Sequence, residues 1–349
     1  MIPDMRNLTY IESIPDYFFD LNQSNVLDHL DDMTLFFHRG ESDKTILLST
    51  MLHGNETSGL KAIQQYLKSV IDGRINDFSF LILLGNPQAF AENKRLVEGQ
   101  LDRNRIWQIR GDHPDHSLAK AVVDKVIEFS LMYSVDIHNN TGKNPYFCCV
   151  NRLDKSTLGL ASFFSADALF FEDPSNAFST FMGRFCPSVT LECGVSGDEL
   201  GVQKAIKFLD KATKEIGQRP FSDLKFNQNI FKSIGKFKVR PQTDINFIPR
   251  ENFSQCDISS QNGAFFYNDL ESFNLKLLKR GTRLGKILGP IDQIEVVGEF
   301  GEQLFDDFFV LDNTDLISTN DFYVAMVTKN VAVAKSDCFF YILKKLNLS

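Results

Sequence analysis

Apolar runs separated by helical-period stretches dominate the first two hundred residues. Thr45–Leu52 and Phe78–Leu84 are nearly continuous in apolar residues, as expected of strands buried on both faces of a parallel sheet. Between them, Leu60, Ile63, Leu67 and Val70 recur at helical spacing across Thr57–Ile71, and Thr57 or Ser58 can cap that helix. The order strand–helix–strand is a βαβ unit, which implies parallel pairing covered by helices. Leu131–Ile137, Pro145–Val150, Ala168–Phe171 and Ser188–Leu191 read as further strands, and Thr34–Phe37 as an edge strand. Helices are expected over Asp115–Phe129 and Asp198–Ile216, the latter aligning Leu200, Ala205, Ile206, Leu209, Ala212 and Ile216. Gln88–Pro114 is long, polar and without clear period, the texture of a functional loop. Past Gln218-Arg219-Pro220 the chain breaks into short β-rich runs such as Ile230–Val239, Gly263–Tyr267 and Phe322–Val327. The reading is an α/β fold, with a mixed, mostly parallel sheet flanked by helices over residues 1–218. A smaller, mainly β domain follows over 219–349.

Composition narrows the class. With 43% hydrophobic and 23% charged residues the chain can bury a core without disulfides, and its 33 phenylalanines read as core filling. A net charge of -8 argues against a nucleic-acid partner. No signal peptide precedes the first strand and no window suits a bilayer span, so a cytoplasmic protein with no membrane partner is expected. Cys148, Cys149, Cys186, Cys193, Cys256 and Cys338 show no paired metal spacing and read as reduced, mostly buried thiols. Neighbouring Cys148 and Cys149 should face opposite ways on their strand.

The candidate chemistry sits at strand ends. His53 and Glu56 follow the first strong strand, His138 another and Glu192 a third. In open α/β sheets such positions converge at the carboxyl edge. His53, Glu56 and His138 make a His₂Glu set for one Zn²⁺ per chain, with a fourth position left for water whose pKa zinc lowers to about 7. Glu192, outside that set, can take the water's proton and pass it to a leaving amine. A guanidinium can share the developing oxyanion with the metal.

Four motifs together extend this. His53-Gly54-Asn55-Glu56, Asp102-Arg103-Asn104-Arg105, Asp136-Ile137-His138-Asn139 and Leu191-Glu192-Cys193-Gly194 come in an order and at intervals that resemble the succinylglutamate desuccinylase/aspartoacylase family of the zinc carboxypeptidase superfamily. The resemblance covers residues from about 45 to 195, and the C-terminal β region looks like that family's small second domain. It implies a carboxypeptidase-like fold, with His53, Glu56 and His138 as zinc ligands and Glu192 as general base and acid. It further implies Asn104 and Arg105 on a substrate carboxylate, Asp102 orienting His53, Arg95 polarising the carbonyl and Arg184 as another carboxylate contact. The implied activity is hydrolysis of a small acidic N-acyl amino acid. The alternatives are a metallocarboxypeptidase acting on short peptides, or a metal- or ligand-binding protein without catalysis. A phosphate-binding α/β protein would need a Gly-rich loop after the first strand, where the acid Glu56 stands instead. A homo-oligomer is compatible with the sequence. Two features depart from the family pattern: the usual Asp-Leu-Asn-Arg is Asp-Arg-Asn-Arg, and Asn140–Pro145 matches neither subgroup. Tyr146, Tyr267 and Tyr323 are the candidates for the family's active-site tyrosine.

Overall fold

The computed structural model describes residues 8–73, 77–108, 111–172, 176–253 and 262–347. Met1–Asn7 and Cys256, read above for targeting and thiol chemistry, lie outside them. The chain divides into two compact units, Met1–Asn139 with Tyr146–Gln228, and Asn140–Pro145 with Asn229–Ser349.

In the first unit the strands are β1 (Thr9–Ile11), β2 (Thr34–His38), β3 (Lys44–Thr50), β4 (Ser79–Leu84), β5 (Ser130–Asn140), β6 (Phe147–Val150), β7 (Asp167–Phe170) and β8 (Ser188–Val195). They lie in the order β1-β2-β4-β3-β5-β8-β6-β7. Pairing is parallel for β1–β2, β3–β4, β3–β5 and β6–β7, and antiparallel for β2–β4 and β6–β8, so the sheet is mixed and mostly parallel. The apolar runs form β3 and β4, whose residues from Thr45 and Ser79 onward are buried throughout. The helices are α1 (Ser58–Asp72), α2 (Pro87–Ala91), α3 (Pro114–Val126), α4 (Lys155–Ala161), α5 (Phe178–Met182) and α6 (Glu199–Gln218). Thr50, the last residue of β3, lies opposite both Leu84 and Ile137, which brings the carboxyl ends of β3 and β5 side by side.

Two expected boundaries move. β5 runs on through His138 and β8 through Glu192, so both residues sit within strands and not beyond their ends. The cause is local. The polar residues at these ends belong to a shared polar site, and the backbone ladder continues past the apolar run; Phe147 pairs with Glu192 itself. The Gln88–Pro114 segment is also more ordered than its polarity suggests. It begins inside α2 and carries Ile106 and Trp107, both buried in the core with Leu118, Val122 and Phe178.

The second unit holds two sheets. One orders β14 (Ile294–Gly298), β9 (Asn229–Val239), β18 (Phe340–Leu346), β17 (Phe322–Ala325) and β12 (Leu277–Leu278). The other orders β10 (Ile245–Ile248), β11 (Gly263–Tyr267), β13 (Arg283–Leu288), β16 (Asp315–Ser318) and β15 (Phe309–Asp312). Phenylalanines fill the core here: Phe237 stacks on Phe340 at 4.7 Å and meets Phe309 and Phe339 edge-on. No helix among the described residues is long and apolar enough to cross a membrane.

Candidate metal centre

The turn leaving β3 is held tightly. Met51 adopts φ 60°, in the left-handed region that a side chain seldom occupies. A Cβ on Gly54 would meet the Ala89 carbonyl carbon at 2.1 Å and the Phe90 amide at 2.2 Å, so only glycine lets this turn lie against α2. The turn presents His53 and Glu56, 4% and 7% exposed, to His138 on the neighbouring strand. One nitrogen or oxygen from each of His53, Glu56 and His138 falls within 4.8 Å of the others, a group that can hold a metal ion.

The two imidazoles have the same arrangement. His53 Nδ1 lies 2.8 Å from Glu56 Oε1, and His138 Nδ1 lies 2.7 Å from Glu56 Oε2. On their far sides, His53 Nε2 is 3.0 Å from Asp102 Oδ1 and His138 Nε2 is 2.6 Å from Asp136 Oδ2. Each ring thus turns Nδ1 to the shared carboxylate while a second carboxylate fixes the other nitrogen, the support that metal-bound histidines ordinarily have. The donor set, two imidazoles and one carboxylate with carboxylates behind both rings, fits zinc. Burial works to raise the Glu56 pKa, but the His138 and His53 imidazoles outweigh it and hold the carboxyl far below its usual range. Burial likewise disfavours charge on His138, yet Asp136 and Glu56 raise its pKa well above the ordinary value. A metal bound at Nδ1 would displace that proton.

Asp136 and Asn139 are contributors that the sequence reading did not assign. Asp136 is fully buried two residues before His138, and the alternation of a strand puts both on one face; the Asp-x-His spacing was the available signal. The Asn139 amide donates to Glu56 Oε2 at 3.0 Å. Its side chain accepts from Ser58 N at 3.1 Å and donates to Gly194 O at 3.0 Å, tying α1 and the end of β8 to the site. Asn139 therefore caps α1, whereas the Thr57 side chain makes no capping bond.

Glu192 is 9% exposed, and no hydrogen-bond partner meets its carboxylate among the described residues. Burial pushes its pKa up to about 7, with His138 pulling it down and Glu56 pushing it further up. Asp102 is held far below its usual range, its burial outweighed by the His53 hydrogen bond and by His53, Arg95 and Arg105 nearby. Arg95 Nη2 donates to Asp102 Oδ2 at 2.8 Å. Asn104 Oδ1 accepts from Phe178 N at 2.9 Å, and Arg105 Nη1 donates to the Asn104 carbonyl at 2.8 Å. Arg184 is exposed, with its guanidinium 4.9 Å from the Phe181 ring centre. The Tyr146 hydroxyl donates to Asp198 Oδ2 at 2.6 Å. In the second unit, Tyr267 lies beneath Arg250 at 4.0 Å and Tyr323 against Phe231 at 4.9 Å.

The odd arginine of Asp-Arg-Asn-Arg is structural. Arg103 is fully buried, donates to Gly85 O at 2.7 Å, and pairs with Asp32 at 2.5 Å and Asp115 at 3.3 Å. Trp107 Nε1 donates to its carbonyl at 2.8 Å. Arg103→Leu, which restores the usual family residue, leaves buried carboxylates without their cation. It should cost about 3–5 kcal/mol of stability, read as a lower urea midpoint at unchanged slope. A cost below about 1 kcal/mol would show that the pairs contribute nothing net.

The sequence profile of the succinylglutamate desuccinylase/aspartoacylase catalytic domain matches residues 42–216. The succinylglutamate desuccinylase of Shewanella frigidimarina is 29% identical over 120 residues, 32% of this chain, and the match spans 34% of that relative's length. The crystal structure of a succinylglutamate desuccinylase/aspartoacylase from Rhodobacter sphaeroides superposes with a TM-score of 0.58 at 16% identity, covering 90% of this chain and 89% of that one. Murine aminoacylase 3 gives 0.54 at 14% identity, over 88% and 97%. At such identities the structural likeness speaks for the fold.

Proposed function

We propose, because the chain belongs to the succinylglutamate desuccinylase/aspartoacylase family, that it is a zinc-dependent amide hydrolase that cleaves an N-acyl amino acid. The observation that carries this reading is the pair of imidazoles turned to one carboxylate, with a buried acid, Glu192, whose charge is felt by the same three residues. His53, Glu56 and His138 would hold the ion, with Asp102 and Asp136 fixing the ring orientations. A bound zinc ion supplies Lewis acidity toward water and a carbonyl oxygen. Glu192 takes the proton of the attacking water and returns it to the leaving amine. A pKa near 7 suits both halves of that exchange, because the group loses and regains a proton at little cost. Arg105 and Asn104 receive the substrate carboxylate. Arg95, anchored on Asp102, stands beside the scissile carbonyl, and Arg184 is a further carboxylate contact. Catalysis is assigned to the first unit.

Metal analysis joined to an amine-release assay over N-acetyl and N-succinyl amino acids and short peptides tests the reading. About one zinc per chain with release from N-acyl amino acids is expected. Release from peptides alone would make the protein a carboxypeptidase, and zinc without turnover on any of them would favour a binding role. Arg105→Ala should lower kcat/KM by roughly 10–100-fold, mostly through KM, for substrates that carry a carboxylate. An equal loss on the corresponding amide would remove Arg105 from carboxylate recognition.

A further inference from the structure

The register of β6 against β8 builds a wall beside Glu192. Phe147 lies opposite Glu192, and Cys149 opposite Thr190. Residues directly opposite in an antiparallel pair share a face, as do residues two apart on a strand. Phe147, Cys149, Thr190 and Glu192 therefore project to one side, and Cys148, Leu191 and Cys193 to the other. The second side is closed, since all three of its residues are fully buried. On the Glu192 side, Cys149 is the half-exposed member, and Phe147 and Thr190 are covered. The Thr190 hydroxyl donates to Ser179 Oγ at 2.7 Å in α5, and the first amide of α5 donates to Asn104, the residue before Arg105. The wall is thus tied to the proposed carboxylate-binding loop as well as to the proposed proton shuttle.

Resting on the deacylase reading, we infer that Cys149, backed by Thr190 and Ser179, is a specificity-determining residue that receives the side chain of the substrate's amino acid and selects a small uncharged one. In an amino acid the carboxylate and the side chain leave the same carbon, so a carboxylate held by Arg105 delivers the side chain close beside it. The wall has little to offer a second carboxylate there. The Thr190 hydroxyl already donates to Ser179 Oγ, and a thiol is a weak donor. The acids whose charges reach Cys149 are Glu192 and Asp136, with Arg105 the opposing cation; burial, then Glu192, pushes the thiol well up, so it stays neutral. Size discrimination by such a wall follows the usual scale, in which one added methylene changes binding by about tenfold or more.

The test uses the full-length, zinc-loaded protein in a Glu192→Gln background, so that turnover does not consume the probes. N-acetylglycine, N-acetylalanine, N-acetylleucine and N-acetylaspartate are titrated calorimetrically into the parent, Cys149→Ala and Cys149→Leu. The parent should prefer N-acetylalanine to the leucine and aspartate compounds. Cys149→Leu should weaken N-acetylalanine by about tenfold and leave N-acetylglycine within about threefold, while Cys149→Ala strengthens N-acetylleucine. An equal shift for all four compounds, no shift, or a parent preference for N-acetylaspartate overturns the inference and leaves the deacylase reading standing. Binding of none of the four to the parent removes the N-acyl amino acid reading and the inference with it. If Cys149→Leu fails to retain zinc, the Cys149→Ala arm decides alone.

Discussion

Glu192→Gln should retain zinc and lose kcat by roughly 10²–10⁴-fold, the range that a positioned acid–base group contributes. Gln is nearly isosteric and cannot exchange a proton, and Glu192 lies outside the His53, Glu56 and His138 group. The loss should fall on kcat and kcat/KM alike, because the proton transfer belongs to the transition state. A second readout concerns folding without metal. The Glu192 pKa rises from its ordinary 4.5 to about 7 because burial disfavours the ionised form. Between those values the folded protein binds more of a proton than the unfolded chain. Glu192 therefore lowers stability progressively as pH climbs through that window, and the loss is complete above the folded value. In Glu192→Gln this contribution disappears, and the metal-free variant should gain on wild type as pH increases from about 5 to about 8. Parallel urea midpoints in the two proteins across that range would show that the carboxylate is not held in a desolvated site. Near-normal kcat would remove it from the mechanism.

How much of this could be read in advance depends on the range over which each signal acts. β3 and β4 were legible because strands buried on both faces must be apolar along their whole length, and β9 because its burial alternates residue by residue. The meeting of His53, Glu56 and His138 was legible through topology, since parallel strands share a carboxyl edge. The Cys148/Cys149 alternation also held: one is fully buried, the other half-exposed. What stayed hidden was the fate of polar groups whose partners are remote in sequence. Arg103 stood out only as a departure from the family motif, and it is buried because Asp32 and Asp115, from two other segments, close on it. Asn139 looked like the flank of a ligand and is part of its support, since it meets Glu56 only when β5 lies beside β3, whereas Asp136 holds His138 from two residues away on the same strand. The ends of β5 and β8 were set too early for the same reason: hydrophobicity stops where the site begins, and the hydrogen-bonded ladder does not. In the second unit the β15–β16 hairpin is local, but the placing of β9 between β14 and β18 rests on non-local pairing that no local pattern records.

The same chain of support makes His138 the position where a single substitution should do most to the metal. His138→Gln is expected to leave the protein without stoichiometric zinc after dialysis, because it removes one of three donors, and His53→Gln should do the same. Gln is chosen over Ala because Asp136, fully buried with Oδ1 unpaired, would otherwise lose its only hydrogen-bond partner among the described residues. That loss could unfold the site for reasons unrelated to the metal. Asp136→Asn should act one step removed. It keeps the shape and a polar contact to Nε2 but no longer supplies the negative charge that orients and polarises the ring, and it should weaken zinc affinity by roughly 10–100-fold without abolishing it. The ordering is the decisive feature. Removal of a donor must cost more than removal of the group behind it, with both variants folded by circular dichroism. Full zinc retention in His138→Gln and His53→Gln would remove these side chains from the coordination set. Equal losses in His138→Gln and Asp136→Asn would mean that Asp136 binds the ion directly, or that the buried pair serves folding and the metal follows it. Competition with a chelator of known affinity separates those two outcomes, since direct binding changes the affinity at constant stability and a folding effect changes both together.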